Sequence, residues 1–143
     1  RSSDLRGCLP CGRPCVVCPY VRSTKTFLSH TTKIKYNIKD QIKCQITNLI
    51  YIIQCKKCGK QYVGQTSNSL NKRMIGHLSD IRNNNNKPVA NHFNSAEHSL
   101  DHISIYGIDV ITSSNNNVRL ARELAWILEL HTVNQLGLNV KEA

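Results

Sequence analysis

Seven cysteines in a chain of 143 residues constrain the fold more than any other feature of the sequence. They form a C-x2-C-x3-C-x2-C run, a second C-x2-C pair and one isolated residue, at Cys8, Cys11, Cys15 and Cys18, at Cys55 and Cys58, and at Cys44. A secreted disulfide framework would use an even number of cysteines at wider spacing. Two thiolates three residues apart can instead bind one tetrahedral Zn²⁺. The pattern therefore indicates zinc sites in an intracellular, reducing compartment.

The excess positive charge is confined to the first part of the chain. The formal net charge is +10, with 12 basic and 2 acidic side chains in residues 1–60 and 7 of each in residues 61–143. A basic segment beside a neutral one is typical of a protein that binds a polyanion. A solubilising surface is the alternative, and the concentration of charge favours nucleic acid.

Length and hydropathy limit the architecture. A chain of 143 residues suits one domain with a small appendage. No window approaches the roughly 20 apolar residues of a membrane helix, so we expect no membrane partner. The sequence begins RSSDLRGCLP and its one methionine is Met74, so we expect a segment of a longer polypeptide.

The hydrophobic pattern predicts strands in the first half of the chain. Residues 25–39 alternate between apolar residues and lysines, which indicates a pair of half-buried strands. Residues 48–54 are continuously apolar and predict a buried central strand. A tight turn with Cys55 and Cys58 then leads to a second strand at 61–65, so that the two form a β-hairpin.

Helical periodicity dominates the second half. The first long helix is predicted to follow Ser67 or Asn68 and to end near Arg82, and Pro88 begins a short helix over 88–94. A third strand covers 102–111. A second long helix begins after Ser113 or Ser114 and ends near His131, and four residues are predicted to face inward: Leu120, Leu124, Ile127 and Leu128.

This order of elements predicts a small α+β sandwich, in which helices flank a three-stranded antiparallel sheet. We expect residues 1–45 to form a basic, cysteine-rich, zinc-binding extension. Residues 46–143 are then the domain that carries the chemistry.

Several polar residues occupy positions that packing alone does not explain. Tyr51 and Tyr62 lie in the paired strands, Arg73 and His77 share a helix face, and Glu123 interrupts the apolar stripe of the last helix. Taken singly, the tyrosines fit a core, and Arg73 and His77 fit a solvated helix face. Together these side chains supply a cation, a metal-binding carboxylate and a base, which phosphodiester cleavage requires.

For Glu123 the structural alternative is a surface ion pair with Arg119 or Arg122, which would contribute little to stability.

In order and spacing these residues resemble the GIY-YIG endonuclease superfamily. The resemblance rests on L-I-Y-I-I around Tyr51, Y-V-G from Tyr62, R-x3-H from Arg73 to His77, R-E-L-A-W-I around Glu123, and G-L-N ending at Asn139. The stretch 48–66 and the motif K-P-V-A-N-H-F-N are similar to the endonuclease domain of Penelope-like retroelements. That similarity extends from about Cys11 to Asn139.

Three positions depart from the family pattern. Leu49 replaces the first glycine of G-I-Y, Gln65 stands where some members carry lysine, and His77 stands where other branches carry tyrosine.

The resemblance implies a role for each candidate catalytic residue. Glu123 binds one Mg²⁺ or Mn²⁺ at the scissile phosphate, and Arg73 stabilises the charge of the transition state. Tyr51 activates water with His77 as proton relay, Tyr62 positions water or phosphate, and Asn139 orients the site.

The resemblance also implies the biological setting. The chain would nick double-stranded DNA in the nucleus. A reverse transcriptase domain in the same longer polypeptide would then extend the exposed 3′ end on the element RNA, which is target-primed reverse transcription.

Two structural zinc ions per chain are expected. Cys55 and Cys58 are predicted to bind one with His92 and His98, which lie between the first long helix and the third strand, and His102 is a competing ligand. The second ion is assigned to Cys11, Cys15, Cys18 and Cys44, and Cys8 is an alternative to Cys11.

Two other functions compete with catalysis. A zinc-stabilised nucleic-acid-binding module without catalytic activity would explain the charge and the cysteines, but not Glu123 within an apolar stripe or the pair of tyrosines. A redox protein would place its C-x2-C at a helix N-terminus, where the thiol pKa is lowered, and not in a hairpin turn.

Overall fold

A computed structural model describes residues 6–11 and 15–140, and its centre is a three-stranded antiparallel sheet. The strands are β5 (Thr47–Cys55), β6 (Gln61–Ser69) and β7 (Ile103–Val110), in the order β6-β5-β7. The prediction of a buried central strand is confirmed, because side chains 49–53 of β5 are fully buried. The hairpin of β5 and β6 and the third strand are confirmed as well.

The helices flank this sheet, and the α+β architecture is confirmed. They are α1 (Leu70–Arg82), α2 (Pro88–Phe93) and α3 (Asn116–Leu130). Short 3-10 turns at Cys18–Tyr20, Leu100–His102 and Asn134–Leu136 complete the connections.

Both long helices begin one or two residues later than the sequence predicts. Strand β6 extends to Ser69, which pairs with Thr47 beyond a register shift in β5, so Ser67 and Asn68 belong to the strand. Ser69 caps α1 by accepting a hydrogen bond from the backbone N–H of Lys72. In the same way Asn115 caps α3.

The predicted inward face of α3 is wrong. Leu120, Leu124 and Leu128 are 45%, 57% and 63% exposed, and Ile127 is half-buried. The buried residues of α3 are Arg119 and Leu130. The apolar stripe therefore faces outward, and a buried arginine takes the position that a core leucine would normally occupy.

The residues before β5 cover one side of the sheet. They form β1 (Gly7–Cys8), β2 (Thr26–Leu28), β3 (Lys35–Asn37) and β4 (Gln41–Ile42). Strands β2 and β3 pair antiparallel, as the alternation in 25–39 predicts, and β1 pairs parallel with β4. Phe27, Ile38 and Ile42 share one hydrophobic core with the sheet.

The predicted boundary near residue 45 remains a prediction, and residues 1–5, 12–14 and 141–143 of the two units lie outside the described part. In that part, no helix is long and apolar enough to cross a membrane.

Candidate active site and metal clusters

The two strands of the hairpin place Tyr51 at the centre of the candidate site. Tyr51 lies in β5 directly opposite Gly64 of β6, and its ring is fully buried. A Cβ at position 64 would overlap the ring and hydroxyl of Tyr51, so only glycine leaves space for the tyrosine. Packing against Tyr51 therefore explains the glycine of Y-V-G, which is Gly64.

Helix α1 supplies two hydrogen-bond partners to the Tyr51 hydroxyl. The Nε2 atom of His77 lies 2.7 Å from the hydroxyl oxygen, and the Nε–H of Arg73 donates to the same oxygen at 3.0 Å. Because Arg73 can only donate, the hydroxyl proton of Tyr51 is directed to His77 Nε2. The i, i+4 spacing of Arg73 and His77 places both side chains over one tyrosine.

Burial keeps this group of side chains uncharged apart from Arg73. Burial of His77, with the positive charge of Arg73 nearby, lowers the pKa of the imidazole to about 3. Burial likewise raises the pKa of Tyr51 well above its usual range. At neutral pH His77 is therefore a neutral acceptor and Tyr51 is a protonated donor.

Tyr62 and Glu123 form the solvent-facing side of the site. Both are half-buried and line a groove of about 680 Å³ that Asn139 also lines. Burial raises the pKa of Tyr62, a hydrogen bond and the charge of Arg73 lower it, and the negative charge of Glu123 raises it. Arg73 thus contacts both tyrosine hydroxyls, and the Glu123 carboxylate lies close enough to affect them.

Asn139 contacts the strand that carries Tyr62. Its Oδ1 accepts from the backbone N–H of Val63 at 2.8 Å, and its Nδ2 donates to the Val63 carbonyl at 2.9 Å. The Thr132 hydroxyl donates to the same Oδ1 at 2.7 Å. The side-chain amide therefore pairs with the outer edge of β6 as another strand would, one residue from Tyr62.

A second group of side chains forms a candidate metal site, the Cys2His2 cluster: Cys55, Cys58, His92 and His98. Their ligand atoms lie within 4.8 Å of one another. Cys58 Sγ lies 3.5 Å from His92 Nε2, and burial lowers the pKa of His92 to about 4, which keeps its imidazole neutral. The structure thus brings together the four residues that the sequence assigns to one zinc ion.

The geometry of His98 supports a metal ligand. Its Nδ1 lies 3.2 Å from the carbonyl oxygen of Ala96, to which an N–H would donate, so Nε2 carries the lone pair. Among buried side-chain nitrogens and oxygens of the described residues, this Nε2 is the one without a hydrogen-bond partner. The competing ligand His102 accepts through Nδ1 from the backbone N–H of Ser99 and lies outside the cluster.

The four-cysteine cluster consists of Cys11, Cys15, Cys18 and Cys44, whose sulfur atoms also lie within 4.8 Å of one another. Cys18 Sγ lies 3.3 Å from Cys11 Sγ and 3.6 Å from Cys44 Sγ. Tetrahedral Zn²⁺ with bonds of about 2.3 Å separates its sulfur ligands by roughly 3.8 Å, so a small expansion would admit the ion.

Cys8 lies elsewhere in the molecule. Its sulfur accepts from the backbone N–H of Gly107 in β7 at 3.3 Å, and burial raises its pKa to about 11. Cys8 is therefore a buried core thiol, and the geometry favours Cys11 as the ligand.

The contacts of three residues near the site, Arg119, Asn48 and Arg122, are not anticipated by the sequence. Arg119 is buried and donates to Gln65 Oε1 and Asn48 Oδ1, so it does not occupy the surface position of the alternative ion pair with Glu123. Arg122 pairs with Asp109 at 2.7 Å. One signal of an unusual local geometry is present in the sequence, which is Asn48 at the start of the apolar run. Asparagine tolerates a positive φ, and the φ of Asn48 is 60°.

One family model and one solved structure are similar to this chain. The family model for the GIY-YIG catalytic domain matches residues 47–136, which is more than half of the chain. The solved structure of the catalytic domain of the homing endonuclease I-TevI is similar in fold, with a TM-score of 0.53 and 20% sequence identity. The similarity covers 67% of this chain and 100% of that one. No curated protein matches the chain.

Proposed function

The chain belongs to the GIY-YIG catalytic domain family, and we propose that it nicks double-stranded DNA in a reaction that requires a divalent metal ion. Membership of this family implies DNA endonuclease activity, and nucleases of the family use divalent metals. The observation that carries the proposal is the buried hydrogen-bonded group of Tyr51, His77 and Arg73 beside a groove that contains Glu123.

We assign the metal to Glu123. A half-buried carboxylate on the wall of a groove suits Mg²⁺ or Mn²⁺, because these hard cations bind oxygen and retain several water ligands. A cation at this position would supply positive charge to the scissile phosphate and to the leaving oxygen. Arg73, which contacts both tyrosines, supplies the positive charge that the protein itself contributes to the transition state.

Proton transfer is assigned to Tyr51 and His77. The Tyr51 oxygen accepts from Arg73 and directs its own proton to His77 Nε2, so one lone pair remains for a proton from water. As water attacks the phosphorus, Tyr51 takes that proton and passes its own to His77. Tyr62, which lines the groove, is assigned to position the water or the phosphate.

Plasmid nicking tests this proposal directly. Conversion of supercoiled DNA to open circles is expected with Mg²⁺ or Mn²⁺ and not with EDTA. Glu123→Gln and Arg73→Ala should each lower the rate at least about 100-fold while DNA binding persists. Glu129→Gln is the matched control on the same helix, because Glu129 accepts from the Tyr36 hydroxyl outside the groove.

The outcomes of this test separate catalysis from its alternative. Near wild-type nicking by Glu123→Gln would remove the proposed site. A wild-type protein that binds DNA but never nicks it with either cation would support the non-catalytic, zinc-stabilised binding module.

We propose further that the nick serves a Penelope-like retroelement in the nucleus. The support is the sequence similarity that extends from about Cys11 to Asn139. The partners would be a reverse transcriptase domain of the same longer polypeptide and the element RNA. Incubation of that polypeptide with element RNA, plasmid and nucleotides should extend the nicked 3′ end, and nicking without extension would contradict this role.

Structural zinc is assigned to both clusters, with residues 1–45 as a basic zinc-binding extension. The support is the convergence of four ligand atoms in each cluster and the unpartnered His98 Nε2 within the described residues. Elemental analysis should therefore find two zinc ions per chain.

A further inference from the structure

Helix α3 carries Glu123, and its inward contacts differ along its length. Its buried side chains are Arg119 and Leu130, near the two ends. Trp126 and Ile127 in the second half pack against the core, whereas the leucine stripe is exposed. Most surface helices are positioned by an apolar stripe that faces the core. In α3 the buried side chain of Arg119 takes part of this positioning role.

Arg119 makes the contacts that attach the start of α3 to the sheet. Its Nε donates to Gln65 Oε1 at 2.5 Å, and its Nη1 donates to Asn48 Oδ1 at 2.9 Å and to Asn116 Oδ1 at 3.0 Å. These acceptors are amide oxygens, Arg119 as a residue is only 8% exposed, and within the described residues it makes no ion pair. Burying a charge without a carboxylate partner destabilises a fold. We therefore expect Arg119 to have a role other than general stabilisation.

Each acceptor belongs to a part of the chain that carries or positions the site. Gln65 lies on β6, three residues after Tyr62, and Asn48 lies at the start of β5, three residues before Tyr51. Asn48 also donates through Nδ2 to the carbonyls of Ile111 and Ser113, in the loop that leads into α3. Both tyrosine strands and this loop therefore meet at one guanidinium.

We propose that Arg119 is a positioning residue that holds Glu123 at a fixed place relative to the two tyrosines. Arg119 and Glu123 are one helical turn apart, so a rotation of α3 that displaces one displaces the other. The planar guanidinium binds Gln65 and Asn48 at once, which an ammonium cannot reproduce. The inference rests on the proposed nuclease function, because Glu123 matters here as the metal-binding residue.

The first test compares two arginines of the same helix. Arg119→Met should lower kcat roughly tenfold or more, because a displacement of about 1 Å at a reacting centre can cost about 100-fold. It should also raise the Mg²⁺ concentration for half-maximal rate, with DNA affinity unchanged. Arg122→Met is the matched control: it removes the same charge from α3, but Arg122 is half exposed in its pair with Asp109 of β7, and such surface pairs contribute little, so it should stay close to wild type.

Further variants separate positioning from general stability. Arg119→Lys should recover part of the rate that Arg119→Met loses. Gln65→Glu should keep the wild-type rate, because an oxygen that accepts from Arg119 remains. Gln65→Leu should reproduce the raised Mg²⁺ requirement, and its combination with Arg119→Met should cost less than the two separate effects together. If Arg119→Met does not fold, the comparison of Gln65→Leu with Gln65→Glu tests the inference by itself.

Hydrogen exchange gives a readout that does not depend on cleavage. Backbone amides of α3 should exchange clearly faster in Arg119→Met than in wild type, and close to the wild-type rate in Arg122→Met, whose pair with Asp109 is partly exposed. A wild-type protein that never nicks DNA would contradict the proposed nuclease function. The exchange result would still show whether Arg119 attaches α3 to the sheet. Equal kcat, Mg²⁺ requirement and exchange in both arginine variants would overturn the inference.

Discussion

The two cysteine clusters offer similar ligands but occupy different parts of the fold. The four-cysteine cluster joins residues 11–18 to Cys44, before the segment 47–136 that matches the family. It borders the start of α1, where Asn71 Nδ2 lies 3.4 Å from Cys15 Sγ. The Cys2His2 cluster lies inside the matched segment, and its two cysteines lie at the end of β5 and in the following turn of the hairpin that carries both tyrosines.

The ligand sets also differ in charge. Four thiolates around Zn²⁺ leave about −2, whereas two thiolates and two neutral imidazoles leave about zero. The charged set belongs to the basic part of the chain, where excess positive charge offsets it. The neutral set adds no repulsion towards DNA next to the catalytic hairpin. We therefore expect the Cys2His2 cluster to support the active site and the four-cysteine cluster to support the basic surface.

The largest expected effect follows loss of the Cys2His2 cluster. Cys58→Ser and His98→Ala should each lose one zinc ion, lower Tm by roughly 10 °C or more, and reduce nicking severely, because the hairpin loses its anchor. Elemental analysis, thermal melting and plasmid nicking measure the three quantities. His102→Ala is the control that should keep both ions. If His98→Ala keeps both ions and the wild-type Tm, the Cys2His2 assignment is wrong.

Loss of the four-cysteine cluster should affect a different property. Cys18→Ser should also lose one zinc ion, but it should weaken DNA binding more than the cleavage rate of bound DNA. Single-turnover nicking at saturating protein, compared with a binding titration, separates the two. Equal damage to cleavage by Cys18→Ser and Cys58→Ser would abolish the distinction between the clusters.

A smaller effect is expected from the basic surface itself. Deletion of residues 1–45 would remove buried core residues such as Phe27 and Ile38, so substitution of exposed lysines is the cleaner test. Changing Lys33, Lys35 and Lys39 to Gln should reduce the slope of log Kd against log salt by about 2.7, if each contacts one phosphate. An unchanged slope would mean that this face does not contact DNA.

The smallest effect concerns a histidine outside both clusters. The pKa of His77 is lowered to about 3, whereas an unfolded histidine titrates near 6.5. As pH falls below 6.5, the unfolded chain binds a proton that the folded chain does not, so the free energy of unfolding decreases. The decrease approaches about 1.4 kcal/mol per pH unit for one proton.

Urea unfolding of wild type and His77→Gln between pH 7 and 4.5 measures this contribution. Acid also affects the zinc clusters, but it does so in both proteins, so the difference between the two slopes isolates His77. Equal slopes would show that His77 does not remain neutral in the fold.

Most of the sheet could be predicted from the sequence because its signals are local. The continuous apolar run 48–54 and the turn at Cys55 and Cys58 identify the hairpin, and the spacing of Arg73 and His77 places both on one face of α1. The start of α1 was displaced because a register shift between Thr47 and Leu49 extends β6. Such a shift depends on pairing between strands and leaves no mark in either segment alone.

The face of α3 was mispredicted for a related reason. Periodicity identifies an apolar stripe but not what it contacts, and the burial of Arg119 depends on acceptors more than 50 residues earlier in the chain. The contacts of Asn139 with Val63 are likewise between distant residues. The candidate residues of the site were therefore predictable as a set, whereas the residues that position them were not.

The position of the Cys2His2 ligands has a consequence for how the chain folds. An ion bound by Cys58 and His92 would close a loop that contains Tyr62, Arg73 and His77. The Tyr51–His77 hydrogen bond joins residues 26 positions apart, so its formation costs loop-closure entropy, which a cross-link reduces. Metal bound early would therefore shorten the conformational search that assembles the catalytic group, and a chelator present during refolding should slow the recovery of nicking activity.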